Sequence, residues 1–166
     1  REALEALEGH GPTSLVEKST ALAGLLLEMS GTIPRGRGQD MAKEILASGK
    51  ALQKMRQIIE IQGGDPRVKP EDIAIGHHTT KILSPADGYV VSVDNDAIKN
   101  IARAAGAPID KGAGVKLYSK RGYIVKKGDP LVEIYAESEG KLSEALALGM
   151  KIQPITVEGM LLGKVS

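Results

Sequence analysis

Apolar residues in this chain keep one period as far as Gly64 and another from Ile82 onward, and that single change constrains the fold more than any other feature. In the first stretch they recur at spacings of three, four and seven, which lines a face of an α-helix. In the second they gather in short β-branched runs broken by Gly, Pro and Asp, the pattern of strands and turns. The expectation is an α+β chain: helices over residues 1–65, a linker over residues 66–81, and a mainly β domain with two helices over residues 82–166.

In the helical part, Glu2-Ala3-Leu4-Glu5-Ala6-Leu7-Glu8 reads as one helix, ended by Gly9 to Gly11. No N-cap residue precedes it and Arg1 stands where an initiator Met would, as expected of a piece of a longer polypeptide. Pro12, Thr13 and Ser14 start a second helix, predicted over Thr13 to Met29, because proline suits a first turn whose N–H groups lack partners. Its apolar residues, among them Leu15, Val16, Leu22, Leu25, Leu26 and Met29, occupy more than one face, so it needs neighbours on most sides. After the loop Ser30 to Gly38, Asp40 is a candidate cap for an amphipathic stretch marked by Met41, Ile45, Leu52, Met55 and Ile59. Ser48-Gly49 should break that stretch and Gly63-Gly64 close it. These helices carry more apolar surface than they can hide among themselves, so a sheet beyond these residues is expected beneath them.

In the β part, strands are predicted at Ile82 to Pro85, Tyr89 to Val93, Val115 to Tyr118, Ile124-Val125, Leu131 to Tyr135 and Ile152 to Val157. Helices are predicted near Asp96 to Ala105 and Glu139 to Leu148, the second with Leu142, Ala145 and Leu146 in one stripe. The apolar end, Ile152 to Val157 followed by Met160-Leu161-Leu162, reads as an exposed strand edge, a template for pairing. The expectation is that this tail mediates oligomerisation beyond a dimer, and that removing Gly159 to Ser166 lowers the mass in solution.

Composition narrows the function classes. With 42% hydrophobic and 26% charged residues the 166-residue chain has the make-up of a globular protein. Lys and Arg number 22 against 21 Asp and Glu, so bulk charge draws it to neither nucleic acid nor an anionic membrane. The absence of Cys excludes disulfides, thiolate zinc sites and cysteine nucleophiles, and favours a reducing, cytoplasmic home. No Phe, no Trp and only Tyr89, Tyr118, Tyr123 and Tyr135 leave no platform for stacked bases or sugars. The longest apolar run, Ala21 to Leu27, falls far below the roughly 20 residues that span a bilayer, so no membrane partner is expected.

Few motifs carry chemistry. Gly36-Arg37-Gly38 and Gly112-Ala113-Gly114 could each cradle a phosphate, but both lack the strand, third Gly and following helix of such a loop, so turn glycine is the preferred reading. His77 and His78 would point to opposite faces of an extended segment and have no third ligand at metal spacing. Asp94-Asn95-Asp96 lacks the Gly and distant Glu of a calcium loop, and Asn95 or Asp96 is read as a helix cap. Lys116, Lys120, Arg121, Lys126 and Lys127 form a basic cluster on a predicted hairpin, with a solvated face preferred to a phosphate contact. No Gly-x-Ser-x-Gly elbow is present.

Two stretches are sharper. Ser84-Pro85-Ala86-Asp87-Gly88-Tyr89-Val90 and Val125-Lys126-Lys127-Gly128-Asp129-Pro130-Leu131-Val132-Glu133-Ile134 each place Gly and Asp at a tight turn leading into an alternating strand. They resemble the turn-plus-strand signatures of the biotinyl and lipoyl barrel-sandwich fold. A carrier would need its modified Lys at an exposed tip after the strand, where this chain continues Tyr135-Ala136-Glu137-Ser138 and reaches Lys141 in a predicted helix. A non-catalytic assembly module of that fold stays as the alternative from another class.

Further stretches, in order, are Gly11-Pro12-Thr13-Ser14-Leu15, Ser48 to Met55 continuing to Gln62-Gly63-Gly64-Asp65-Pro66, Arg103-Ala104-Ala105-Gly106-Ala107-Pro108 and Lys111-Gly112-Ala113-Gly114-Val115. With the Ala86 to Val90 and Tyr135 to Ser138 stretches they resemble the thymidine phosphorylase family, and within it the archaeal AMP phosphorylase branch. The resemblance implies that this chain is the C-terminal part of a phosphorylase: helices finishing an α/β domain, then a barrel-sandwich-like domain. It implies a pentosyltransferase that cleaves an N-glycosidic bond with phosphate, giving free base and, in the AMP branch, ribose 1,5-bisphosphate. A thymidine- or pyrimidine-specific member is the alternative within the family. Phosphate is then a co-substrate and no cofactor is expected. Nucleoside monophosphate and phosphate would be bound upstream of Arg1, the partner would be a second copy of the protein, and no catalytic, cofactor-binding or metal residue is assigned to this sequence.

Overall fold

The structure, a computed structural model, describes residues 1–159. Contacts divide the chain into two compact units, Arg1–Ile73 and Ala74–Ser166.

The first unit is helical: α1 Glu2–Leu7, α2 Thr13–Met29, α3 Gly38–Ala47 and α4 Lys50–Ile61, followed by a 3-10 turn at Pro70–Asp72. Pro12 stands at the N-cap of α2 rather than inside its first turn, and its carbonyl accepts from Leu15 N and Val16 N. Gly49 breaks the amphipathic stretch into α3 and α4 by taking a left-handed conformation, φ 76°, that a side chain would resist. The centre of the unit is the α2–α3 crossing, where Gly24 meets Gly38: a Cβ on Gly24 would lie 2.6 Å from the Gly38 carbonyl carbon. Lys43 Nζ and Gln39 Nε2, both on α3, reach the Glu17 carboxylate on α2 at 2.8 and 3.1 Å.

Little of this unit is covered. Its buried hydrophobic side chains are Leu4 and Ala42, and no residue of α4 is buried. Leu22, Leu25, Leu26 and Met29 on α2 and Ile58 and Ile61 on α4 are exposed, Met29 to 82% and Ile61 to 85%. An open apolar groove of about 530 Å³ runs among Leu7, Leu15, Val16, Leu26, Ala42 and Ile45.

The second unit has a core. Its strands are β1 His78–Leu83, β2 Gly88–Val93, β3 Gly114–Leu117, β4 Ile124–Val125, β5 Pro130–Ala136 and β6 Ile155–Glu158, with α5 Asn95–Ala104 and α6 Glu139–Ile152. Among the described residues these make two antiparallel three-stranded sheets, ordered β1-β5-β3 and β4-β2-β6. Ile101, Val132, Ile134, Ala136 and Ala145 are fully enclosed, with Val90, Val125 and Leu131 beside them. The stripe on α6 faces this core, Ala145 buried and Leu142 and Leu146 packed against it. The chain is thus a mixed α+β structure whose β domain alone has a closed interior.

The two turn-plus-strand signatures launch the middle strand of each sheet, β2 and β5, and their turns bond to each other. Ser84 N donates to Asp129 O at 2.8 Å, Gly128 N donates to Ser84 O at 2.9 Å, and Lys127 N donates to the Asp87 carboxylate at 2.7 Å. Burying backbone at a turn requires such partners, which is why Ser84, 3% exposed, is tolerated there.

Three elements depart from the sequence expectation. β1 begins at His78 and ends at Leu83, so Ser84-Pro85 belong to the turn. α6 runs on to Ile152, and β6 starts only at Ile155 after Gln153 turns the chain with φ 45°. The basic cluster is not on a hairpin, because β3 pairs with β5 and β4 with β2. Gly122 marks the crossing between the two sheets, its N–H donating to Val90 O on β2.

Candidate functional site

Both Gly-x-Gly turns are already filled by carboxylates of this chain. Glu28 Oε1, at the end of α2, accepts from Gly36 N at 2.9 Å and Gly38 N at 2.8 Å, capping the exposed start of α3. Helix N-termini leave unpaired N–H groups and a partial positive charge that favours an anion, and Glu28 supplies it from within. Asp40 therefore does not cap this helix; it lies in the first turn, 3.8 Å from Arg37 Nε. Likewise Glu137 Oε1 accepts from Gly112 N at 2.8 Å, while Gly112 O accepts from Gly76 N at 2.8 Å. A phosphate approaching either turn meets a donor in use and a negative charge, so both are structural turns.

Asp94, not Asn95 or Asp96, caps α5: its side chain accepts from Asp96 N at 2.9 Å and Ala97 N at 3.0 Å. Asp96 instead pairs with Lys99 one turn on. His77 and His78 are both exposed, and no group of three metal-ligating side chains exists among the described residues.

The stretch Gly106 to Gly114 is a braced loop between α5 and β3. Asp110 N donates to Gly106 O and Ala113 N to Asp110 O, and the Asp110 carboxylate pairs with Lys141 Nζ at 2.6 Å. Together with the Glu137 bond, this ties the loop to the start of α6, whose cap is Ser138.

One cluster escaped the sequence reading. On the face of the β1-β5-β3 sheet opposite the core, Glu133 sits between cross-strand partners Lys81 and Lys116. Its carboxylate accepts from Tyr118 Oη at 2.7 Å and Tyr135 Oη at 2.5 Å, and Lys81 Nζ lies 3.8 Å away. Lys116 Nζ and Lys81 Nζ stand 5.0 and 5.6 Å from the centre of the Tyr118 ring. The Tyr135 hydroxyl first, then the Tyr118 hydroxyl and the two lysine charges, hold the Glu133 carboxyl below its usual range against the opposing effect of burial. The same bond to Glu133 pushes the Tyr118 hydroxyl up, since ionising it would put two negative charges together. Glu133 and Tyr135 two apart on one strand was the signal in the sequence. The cluster thus links side chains of all three strands of this sheet through one carboxylate.

The two-sheet unit and the helices before it can both be compared with known proteins. Residues 89–155 match the Pyrimidine nucleoside phosphorylase C-terminal domain family model. Over its length the chain is similar to AMP phosphorylases: 59% identical across 99% of this chain to that of Methanosarcina barkeri, 59% across 98% to that of Pyrococcus horikoshii, and 57% across 99% to that of Thermococcus kodakarensis. The resemblance carried by the Gly63-Gly64, Gly106-Ala107-Pro108 and Lys111 to Val115 stretches thus holds along the chain. The chain spans about a third of the length of the curated relatives it matches.

Proposed function

We propose that this chain is the C-terminal part of an AMP phosphorylase, a pentosyltransferase that converts AMP and inorganic phosphate to adenine and ribose 1,5-bisphosphate. The observation that carries this reading is identity of 57–59% to proteins of that name, sustained over 98–99% of the chain. In such a reaction a phosphate oxygen bonds to the anomeric carbon as the N-glycosidic bond breaks, and a donor protonates the departing base. Both need preorganised groups on opposite faces of the sugar. This reading places these groups and the substrate site in the part of the relatives' length that this chain does not span, in keeping with the filled turns at Gly36 to Gly38 and Gly112 to Gly114. The uncovered faces of α2 and α4 support a role for the first unit as the outer layer of a larger α/β domain. Phosphate is a co-substrate and no cofactor is required. The whole protein works as a homo-oligomer in the cytoplasm; no helix among the described residues is long and apolar enough to cross a membrane.

The test is phosphate-dependent base release by the full-length protein, with AMP and thymidine side by side. Adenine release from AMP is expected. Release of thymine alone would replace this reading with a pyrimidine nucleoside phosphorylase, and release of neither base would overturn it.

A further inference from the structure

The apolar tail Met160-Leu161-Leu162, read from the sequence as a pairing edge, lies outside the described residues. Within them the loosely held strand is β3. β1, β2, β4, β5 and β6 each bury at least one residue, and β3 buries none. The loop before it is no better covered: from Gly106 to Tyr118 no residue is buried, whereas Ala105 and Ser119 at the two ends are 0% and 6% exposed. Ala113, Val115 and Leu117 pack against the core only from outside, partly covered. Burial of apolar surface is the main force that holds a segment down, so this one depends on other contacts.

Those contacts are polar and come from one line of residues. Glu133 on β5, Glu137 just after it and Lys141 in the first turn of α6 are evenly spaced along the chain. Glu133 accepts from the Tyr118 hydroxyl at 2.7 Å and faces its cross-strand partner Lys116. Glu137 accepts from Gly112 N at 2.8 Å, and Lys141 Nζ pairs with the Asp110 carboxylate at 2.6 Å. Because Gly114 stands opposite Tyr135, these side-chain ties carry the antiparallel β3–β5 register on beyond the end of the ladder. Backbone bonds add Gly76 N to Gly112 O and Tyr118 N to Leu131 O. Inside the segment, Asp110 N donates to Gly106 O and Ala113 N to Asp110 O, so the loop is braced against itself.

We propose that Gly106 to Tyr118 is a strap, hinged at Ala105 and Ser119, that opens as one cooperative unit ahead of the rest of the β domain, and that the Glu133, Glu137 and Lys141 ties set how often it does. Hydrogen bonds to charged groups are the stronger kind, and these three are lost together once the segment lifts. Opening strips the partner from one edge of β5 at Val132 and Ile134, both fully enclosed when the strap is down. The strap therefore decides when the middle strand of this sheet is accessible.

Hydrogen exchange in the full-length protein, followed peptide by peptide by mass spectrometry, tests this through reciprocity. Lys141→Met cuts the tie at Asp110, and Glu133→Gln weakens the tie at Tyr118. Each substitution is expected to speed exchange roughly fivefold to tenfold at both ends of the strap, around Ala113 and around Leu117, while β2 and β6 in the other sheet keep their rates. A response confined to the neighbourhood of the lost tie would mean that the segment frays residue by residue, and would overturn the proposal. No response to either substitution would overturn it as well. Glu137→Ala set against Glu137→Gln separates the strap from a general loss of folding: Gln keeps an acceptor for Gly112 N, so it should hold most of the protection that Ala gives up. Equal acceleration in those two variants, shared by β2, would show the whole domain loosening at once, contrary to a strap that opens first.

Discussion

Glu133 is 12% exposed and accepts two tyrosine hydroxyls between two lysines, so its ionised form is the one this sheet was built around. Because its pKa is depressed on folding, its stabilisation is present above the ordinary carboxylate range and lost as pH falls through the folded value. Glu133→Gln should cost about 1 kcal/mol at neutral pH, given that the bonds face solvent on one side. It should also flatten the acid limb of a stability-versus-pH curve measured by denaturant titration; an unchanged acid limb would mean that the carboxylate titrates alike in both states. Glu28 makes a comparable case. Glu28→Ala leaves Gly36 N and Gly38 N without their acceptor, a loss of about 1–2 kcal/mol by analogy with cap deletion. Amide hydrogen exchange at Gly38 should accelerate accordingly.

Among elements, the α2–α3 pair depends on two backbones in contact at Gly24 and Gly38. Gly38→Ala drives a Cβ into the Gly24 carbonyl, and backbone cannot yield as a side-chain tip would, so a loss of about 1–3 kcal/mol or more is expected in thermal unfolding. This crossing shows what the sequence could and could not disclose. The span of α2, the break at Ser48-Gly49, the stripe on α6 and the two signature turns were readable because periodicity and turn chemistry are local. The cap of α3 was not: capping rules look within one turn, and Glu28 arrives from a neighbouring helix ten residues before Gly38. The misread hairpin has the same origin. Val115 to Val125 looks locally like strand, turn, strand, but Gly122 carries the chain from one sheet to the other, and only the distant partners Val90 and Leu131 reveal it.

For the whole molecule, the two units should behave differently when separated. Residues 74–166 own a closed core and should melt cooperatively as an isolated domain, followed by circular dichroism. Residues 1–73 bury little besides Leu4 and Ala42 and should bind a hydrophobic dye and self-associate in gel filtration. A sharp cooperative melt for residues 1–73 would contradict the claim that their apolar faces need a cover from elsewhere. Pairing order in the second unit has a further consequence, in time. β1 waits for β5 and β2 waits for β6, so each early strand finds its partner only after most of the domain has been made. During synthesis α2 and α3 can close as soon as both emerge, whereas β2 must keep one edge open until the last described strand clears the ribosome. The β domain is thereby the slow step of biogenesis, and a chain stalled before Ile155 presents that unpaired edge to whatever chaperone or neighbour reaches it first.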